Sequence, residues 1–293
     1  FYFIGGRSQF NNFRGLMSNV DSIDIYEKGK YRSPEINVWG ISDKNLFLEA
    51  NDVLKRQTKP FFAVIQTAHN HRPFMIPPGE KEFSCPIIEK EILSKYGFDS
   101  QEEYESFCYT DFCFKKFIET AKQKAYFINT IFVFVGDHGI RYNGTLDYFP
   151  KSWTEQGLTC EHVPLLFYAP GFLKPKKLHD ICSQVDILPT VASLVKIPYR
   201  NNSMGRNLFD TVINKEKYAF IIDHDVKTIG LVSSKYYYLK NLKTGTADFV
   251  SMTGNEPVPV NSETDSVKNY LQQLTDAYYE PAKYLLLNNK KKR

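Results

Sequence analysis

The 293-residue chain is long enough for one large domain, or for a domain with a small appendage. Hydrophobic residues make up 42% of it, which excludes disorder and favours a packed core. The formal net charge is only +4, and much of this excess lies in Lys290–Arg293, which we interpret as a solvated tail. Because the sequence has no basic stripe interleaved with aromatic residues, we expect no nucleic-acid partner.

The start of the chain has the character of a core element. The sequence contains no run of about 18–20 apolar residues, the length that a membrane-crossing helix needs, and it shows no signal-peptide pattern. It opens without Met on Phe1–Gly6, which is typical of a buried strand already under way. We therefore expect a fragment whose upstream part was removed.

Five cysteines are present, none of them in a CxxC pair, and the odd number leaves at least one free. A free cysteine is most often a small hydrophobic residue of the core. We expect buried free thiols here, and a disulfide stays open as the alternative.

In the first half of the chain, strand-like and helix-like segments alternate. This order predicts an α/β fold with a mostly parallel central sheet flanked by helices. Asp43 is expected to cap a helix whose apolar residues recur at helical spacing as far as Leu54, and Pro60 ends it. The elements predicted next are a buried strand at 61–65, a charged excursion at 73–90 and a long helix at about 101–124.

The second half begins with a strand at 130–135, followed by a loop to about Glu161, a strand at 163–168 and a helix at 186–195. Past about Lys215 the pattern changes to short strands at 218–222, 229–233 and 236–239, with Ser262 capping a closing helix. We therefore divide the chain into a main α/β domain, 1–214, and a small C-terminal α+β subdomain, 215–293.

A carboxylate and an imidazole follow the strand at 130–135, in the segment Gly136–Gly139. Ligands of open α/β sheets bind beyond the carboxyl ends of the strands, where Asp137 and His138 can both reach one divalent cation. The flanking glycines allow a tight turn and a close approach. An ordinary polar turn is the competing interpretation, but the preceding strand and the further histidines favour a pair of metal ligands.

Two further histidine segments also lie at loop–strand junctions. The segment 67–74 follows a buried strand and contains His69, His71 and Arg72. Imidazole suits zinc and manganese, and arginine suits a phosphate oxygen. We favour a function for His71 over a solvated loop and leave His69 undecided. His162 begins the next apolar strand, where we again favour a function over a hydrogen-bonded strand end.

Together these motifs resemble the sulfatase-like domain of the lipoteichoic-acid-synthase family and of the related phosphoglycerol and phosphoethanolamine transferases, within the alkaline phosphatase superfamily. The order and spacing of the segments carry the resemblance: Gly5–Gly6, Phe10–Asn12, Trp39–Asp43, Asn70–Phe74, Asn129–Gly139, His162–Leu165, Gln184–Thr190 and Met204–Arg206. The resemblance implies the superfamily fold without its N-terminal part, so that residues 1–214 are a partial catalytic domain.

The resemblance also implies roles for particular residues. Asp137 and His138 would be two ligands of a single Mn or Zn ion. His71 and His162 would be catalytic, binding the transferred phosphoryl group or a second metal and protonating the leaving oxygen. The substrate-binding residues would be Phe10, Asn11, Asn12 and Arg72.

The family further uses an acidic metal ligand and a nucleophilic threonine, and in family order both lie upstream of the segment that Gly5–Gly6 matches. We therefore expect neither in this chain, and we expect the chain alone to be inactive. For the intact parent, the resemblance implies that the threonine attacks a phospholipid head-group phosphate and an acceptor hydroxyl then takes the group. The family parents are membrane-anchored by N-terminal helices and act outside the cytoplasmic membrane, in the periplasm or at the cell surface.

Two other functions remain open at this point. A sulfatase or a phosphodiesterase on the same scaffold would hydrolyse the ester, and a sulfatase would carry Cys or Ser in place of the upstream threonine. The third hypothesis is a non-catalytic binding module. It would be favoured if neither this chain nor the full-length protein binds Mn or Zn.

Overall fold

The computed structural model describes residues 1–20, 22–142, 148–210 and 217–288. The chain divides into two compact units: Phe1–Phe132 with Tyr168–Leu173, and Val133–Phe167 with Lys174–Arg293. The domain boundary predicted between residues 214 and 215 lies outside the described residues. Within the described ranges, no helix combines the length and the apolar character that crossing a membrane requires.

A three-stranded parallel sheet lies in the first unit. Its central strand β1 (Tyr2–Ile4) pairs on one side with β2 (Ile25–Tyr26) and, further along the chain, with β5 (Val64–Gln66) on the other. The parallel pairing confirms the predicted sheet type, and all three residues of β1 are buried, as its apolar sequence indicates. The strand predicted at 61–65 begins only at Val64, because residues 61–63 lie outside the ladder.

Among the described residues, the first unit also contains a short antiparallel pair, four α-helices and two single-turn 3-10 helices, Phe10–Asn12 and Phe127–Asn129. The pair is β3 (Glu35–Asn37) with β4 (Gly40–Ile41), and the α-helices are α1 (Phe13–Met17), α2 (Asp43–Leu54), α3 (Lys90–Lys95) and α4 (Gln101–Ala121). The apolar face of α2 packs on β1, and Phe47 stacks on Phe117 of α4 with ring centroids 4.8 Å apart. The predicted cap is wrong by one residue, because the Ser42 side chain, not Asp43, accepts the N–H of Asn45.

Strand β6 (Phe132–Val135) pairs with β7 (Leu165–Tyr168) in a two-stranded sheet. Helices α5 (Lys151–Glu155) and α6 (Leu158–Glu161) occupy part of the segment that we predicted as a loop. Their shortness explains the error, since four or five residues carry too little periodicity to be recognised. Helix α7 (Ile187–Leu194) contains Pro189 in its first turn, as predicted.

A four-stranded antiparallel sheet and a long helix complete the second unit. The elements, in chain order, are β8 (Ala219–Asp223), β9 (Thr228–Val232), β10 (Tyr236–Asn241), β11 (Ala247–Ser251) and α8 (Ser262–Asn288). Leu231, Tyr238 and Leu271 form the buried centre where α8 covers this sheet. Asn261 caps α8 in place of the predicted Ser262, since its side-chain oxygen accepts the N–H groups of the second and third helical residues.

All five cysteines are free, as expected. The expectation of burial holds for Cys113 alone, and Cys85, Cys108, Cys160 and Cys182 are partly exposed. The difference arises because these four lie on element surfaces or in connecting segments, whereas Cys113 is on the inner face of α4.

Candidate functional site

The turn that follows β6 is packed closely against the chain before β7. Gly136 donates its N–H to the carbonyl of Pro164 (3.3 Å), and Gly139 donates to that of Cys160 (2.6 Å). A Cβ on Gly139 would lie 2.3 Å from the Thr159 carbonyl oxygen, so only glycine fits there. These bonds bracket His162, so the structure brings the His162 segment beside the turn that carries Asp137 and His138.

The side chains of Asp137 and His138 are exposed and partly oriented. Asp137 Oδ1 accepts the backbone N–H of His138 (2.9 Å), which leaves Oδ2 free. His138 Nδ1 lies 2.8 Å from the carbonyl oxygen of Gly139. Because a carbonyl only accepts, Nδ1 carries the proton and the lone pair is on Nε2. The side chains are 85% and 64% exposed, so both free atoms face solvent.

Gln184 supports this turn from a distant part of the sequence. Its Nε2 donates to the carbonyls of Gly136 (2.7 Å) and Asp137 (2.8 Å). Gln184 lies in one of the family motifs, but the motif alone predicts no role for it. Its signal was its place in the segment Gln184–Thr190, whose Asp186 is buried and accepts the N–H groups of Ser183 and Arg206.

His162 is held by aromatic contacts and by its position at the end of α6. Its N–H donates to the carbonyl of Leu158 (3.0 Å). Its ring meets those of Trp153 and Phe149 edge-on, with centroids 5.0 and 6.0 Å away. The two aromatic rings stack on each other with centroids 4.6 Å apart, and this pair restricts the imidazole on one side.

In the first unit, three of the predicted site residues meet around Trp39. The Trp39 ring lies 4.3 Å from that of His71 and 5.4 Å from that of Phe10, centroid to centroid. Its Nε1 donates to the carbonyl of Arg72 (2.7 Å), and His71 Nδ1 lies 3.1 Å from the same oxygen. His71 therefore keeps its proton on Nδ1 and presents a free Nε2. Trp39 also lies in one of the family motifs, but the motif alone predicts no role for it.

Asn11 and Asn12 form an exposed turn next to Phe10. Their φ angles are 47° and 59°, in the left-handed region that asparagine tolerates better than most residues. The side chain of Asn12 lies over Gly15, where a Cβ would come within 2.4 Å of its Oδ1. The turn thus displays its side chains to solvent, and Phe10 is itself 53% exposed.

Glu27 bonds to residues on both sides of that turn, Ser8 before it and Arg14 after it. Its Oε2 accepts the N–H (2.8 Å) and the hydroxyl (2.6 Å) of Ser8, and Arg14 pairs with Oε1. Burial by itself raises the pKa of Glu27, but the bonds from Ser8 and the charge of Arg14 outweigh it and bring this pKa below its ordinary value. Sequence patterns gave no signal for this residue, because its partners are far away along the chain.

The undecided residue His69 is buried, with 5% of its surface exposed, and is held by Asp43. Asp43 accepts the N–H groups of Ala68 (3.0 Å) and His69 (2.9 Å), and its own N–H donates to His69 Nδ1 (3.2 Å). In the described part of the chain, His69 Nε2 has no hydrogen-bond partner. His69 therefore anchors the loop that displays His71 and does not face solvent.

The donor atoms of Asp137 and His138 suit a divalent cation. Asp137 Oδ2 and His138 Nε2 lie 3.8 Å apart. A zinc ion about 2.0–2.2 Å from each ligand atom spans separations up to about 4.2 Å, so the pair fits without backbone movement. Across the ranges described above, no cluster of three or more His, Cys, Asp or Glu residues could hold a metal. Among the described residues, this turn therefore brings two potential ligand atoms together, and both their role as metal ligands and the convergence of His71 and His162 on the same cation stay predictions.

Comparison with known proteins adds a family to this geometry. The sequence model of the sulfatase family matches residues 3–197. Lipoteichoic acid synthase 2 of Bacillus subtilis is 25% identical over 301 residues, which cover 98% of this chain and 44% of that protein. The chain thus spans less than half the length of this curated relative.

Solved structures support the fold alone. Lipoteichoic acid synthase LtaP from Listeria monocytogenes superimposes with a TM-score of 0.69 at 18% identity, covering 94% of this chain and 69% of that one. An alkaline phosphatase superfamily protein from Vibrio parahaemolyticus gives 0.68 at 22% identity, covering 95% and 65%. The predicted superfamily fold is therefore confirmed.

Proposed function

The chain belongs to the sulfatase family, and from this premise we propose that it is part of an enzyme that transfers phosphoglycerol or phosphoethanolamine from a phospholipid head group to an acceptor hydroxyl. The observation that carries the proposal is the turn after β6, where a free carboxylate oxygen and a free imidazole nitrogen face each other 3.8 Å apart. The similarity to a lipoteichoic acid synthase over 98% of the chain favours transfer of a phosphoglycerol group.

Asp137 and His138 would hold one Mn or Zn ion through Oδ2 and Nε2. When bound, the cation stabilises negative charge on the phosphoryl oxygens and lowers the pKa of a hydroxyl nucleophile. The Gly139 carbonyl accepts a hydrogen bond from the Nδ1–H of His138, so the lone pair of Nε2 stays available. Gln184 holds the backbone of the turn, so that the two donor atoms need little reorganisation.

His71 and His162 would act on the transferred group. With Nδ1 bonded to the Arg72 carbonyl, His71 offers Nε2 to hold a phosphoryl oxygen or, when protonated, to donate a proton to the leaving oxygen. His162, backed by Trp153, would serve in the same two ways or bind a second metal. Arg72 would pair with phosphate through its guanidinium group.

The head group would meet the exposed turn Phe10–Asn12. The Phe10 ring offers apolar area, and the amides of Asn11 and Asn12 offer donors and acceptors to hydroxyl groups. In this proposal the nucleophile is a threonine, and a further acidic metal ligand joins it, both from sequence beyond these 293 residues. The longer protein would be anchored in the membrane and act in the periplasm or at the cell surface, as the resemblance to lipoteichoic acid synthases implies.

A hydrolase of the same family is the second candidate, because the matching family is named for sulfatases. A sulfatase or phosphodiesterase would use the same turn and pass the group to water. The residue that acts as nucleophile separates the two: threonine indicates the transferase, and cysteine or serine in a sulfatase pattern indicates the sulfatase.

Metal titration of the 293-residue chain tests whether Asp137 and His138 bind a divalent cation. Mn²⁺ is added to the chain and its binding followed by the paramagnetic broadening of NMR signals. We expect broadening centred on residues 136–139, lost in Asp137→Asn and His138→Gln. Gln184→Ala should weaken binding about tenfold, since removing a residue that supports a ligand has effects of about 10–100-fold.

The neighbouring residues His224 and Asp225 provide a matched control. They are also adjacent in sequence and exposed, with His224 Nε2 3.1 Å from Asp225 Oδ1, and they belong to the same unit. Asp225→Asn should leave the broadening at 136–139 unchanged. Equal binding in wild type and Asp137→Asn, or no broadening at residues 136–139, would contradict the proposal.

A further inference from the structure

The segment before α3 lies along one face of helix α4. At one end of the contact, the Phe83 ring packs on Phe112 with centroids 5.5 Å apart. At the other end, the Gln101 side chain donates to the carbonyl of Pro86 (2.9 Å) and accepts the N–H of Ile88 (3.0 Å). The short segment is therefore fastened at both ends to the same helical surface.

Cys85 and Cys108 occupy the middle of this contact. Cys108 is seven residues after Gln101 and four before Phe112, spacings that put all three on one stripe of the helix. Cys85 lies between the two fastened ends of the segment, in the stretch held against the stripe of α4 that contains Cys108, and interaction with the Cys108 thiol is among the causes that raise its pKa. Both cysteines are free and partly exposed, so a small oxidant can reach them.

We propose that Cys85 and Cys108 are a redox-active pair that forms a disulfide and fastens the segment to α4. With a small disulfide RSSR as oxidant, the thiolate of one cysteine attacks a sulfur and releases one RS⁻. The thiolate of the other cysteine then displaces the second RS⁻ and closes the protein disulfide. Two thiols are oxidised, the reagent is reduced to two RSH, and the two protons pass to the released thiolates.

The structure supports a stabilising role for this bond. The loop between the two cysteines includes all of α3 and the start of α4. Closing this loop lowers the conformational entropy of the unfolded chain and so stabilises the folded one. Helix α4 also holds the site loop, because the Ser106 hydroxyl donates to the carbonyl of His69. A disulfide would thus fix the segment that follows Arg72 to the same helix that supports the loop containing His71. Disulfides persist in oxidising compartments outside the cytoplasm.

In the reduced chain the Cys85 thiol stays protonated at neutral pH. Burial, followed by interaction with the Cys108 thiol, raises the pKa of Cys85 to about 12. Since the thiolate is the attacking species, we expect oxidation to be faster at pH 9 than at pH 7.

Thiol mapping of the native chain tests the proposal. The purified chain is incubated with oxidised glutathione and then alkylated in denaturant without a reductant, so that every free thiol reacts and any disulfide is kept. It is then digested and mapped by mass spectrometry. We expect a peptide pair joining Cys85 to Cys108, three alkylatable thiols left of the five cysteines, and a Tm raised by about 5 °C that dithiothreitol reverses.

Variants separate this pair from the other thiols. Cys85→Ser or Cys108→Ser should abolish the linked peptide and the reversible rise in Tm, whereas Cys160→Ser and Cys182→Ser should leave both unchanged. The comparison of oxidised with reduced wild type needs no variant to fold. The proposal is overturned if all five thiols stay alkylatable, if separate glutathione adducts form on the two cysteines, or if the linkage joins two chains.

Discussion

Replacement of Asp43 tests how the loop containing His71 is held. Residue Asp43 is 1% exposed, and its carboxylate accepts two backbone N–H groups from the loop, those of Ala68 and His69. Asp43→Ala leaves the buried N–H of His69 and the partly buried N–H of Ala68 without this acceptor. Asp43→Asn keeps one oxygen acceptor but turns an N–H₂ group towards the other donor.

The magnitude follows from these two bonds. An unsatisfied buried donor costs about 1–3 kcal/mol, and the removal of a buried charge offsets part of that loss. We expect Asp43→Ala to lower the free energy of unfolding of the first unit by about 2–4 kcal/mol and Asp43→Asn by about half as much. Asp52→Ala on the same helix removes only exposed ion pairs, with Arg32 and Lys55, and should cost less than about 1 kcal/mol.

Urea unfolding followed by tryptophan fluorescence measures the difference. The chain contains two tryptophans, Trp39 in the first unit and Trp153 in the second. All variants are therefore made in a Trp153→Phe background, where Trp39 alone reports on the first unit. With an m-value of about 1–3 kcal/mol per M, Asp43→Ala should lower the urea midpoint by about 1–2 M. An Asp43→Ala midpoint no lower than that of Asp52→Ala would refute the assigned role.

Two further predictions concern residues that support the predicted binding surface. Glu27 has a lowered pKa in the folded chain because the bonds of Ser8 and the charge of Arg14 outweigh its burial, so its stabilising effect is present above its unfolded pKa and is lost as pH falls through the folded value. The urea midpoint of wild type should thus fall more steeply below about pH 5 than that of Glu27→Gln, and parallel curves would contradict this. Trp39→Phe removes the N–H bond to the Arg72 carbonyl but keeps an aromatic ring, and should cost about 1 kcal/mol, clearly less than Trp39→Ala. Because both variants remove the fluorescent reporter of the first unit, their urea unfolding is followed by far-UV circular dichroism; equal losses would mean that the hydrogen bond, not the ring, holds the cluster.

Local patterns predicted the longer elements well. Helices α2 and α4 show apolar residues at helical spacing over several turns, and they were found within a few residues of their observed ends. Strand β11 was missed, because Ala247–Ser251 has only weak apolar alternation and its pairing with β10 fixes it as a strand. Short elements of this kind depend on partners that a local window does not contain.

The two helix caps were each predicted one residue late for the same reason. Asp43 and Ser262 are residue types that cap helices well, but so are the residues before them, Ser42 and Asn261. At α2 the choice is decided by Ala68 and His69, whose N–H groups engage the Asp43 carboxylate. A contact from 25 or more residues away thus determines which of two neighbours caps the helix.

In the candidate site too, some residues are predicted by local sequence motifs, whereas others are identified only by contacts between distant parts of the chain. Sequence alone predicted the imidazoles of His71 and His138, and in each ring the Nδ1–H donates to the carbonyl of the next residue. That contact is local, and it leaves Nε2 free in both cases. The carbonyls and turns are in turn held by Trp39 and Gln184, whose donors reach across 33 and 47–48 residues. A chemical group is therefore readable from a motif, whereas the rigidity that makes it a usable ligand depends on residues that only the folded chain identifies.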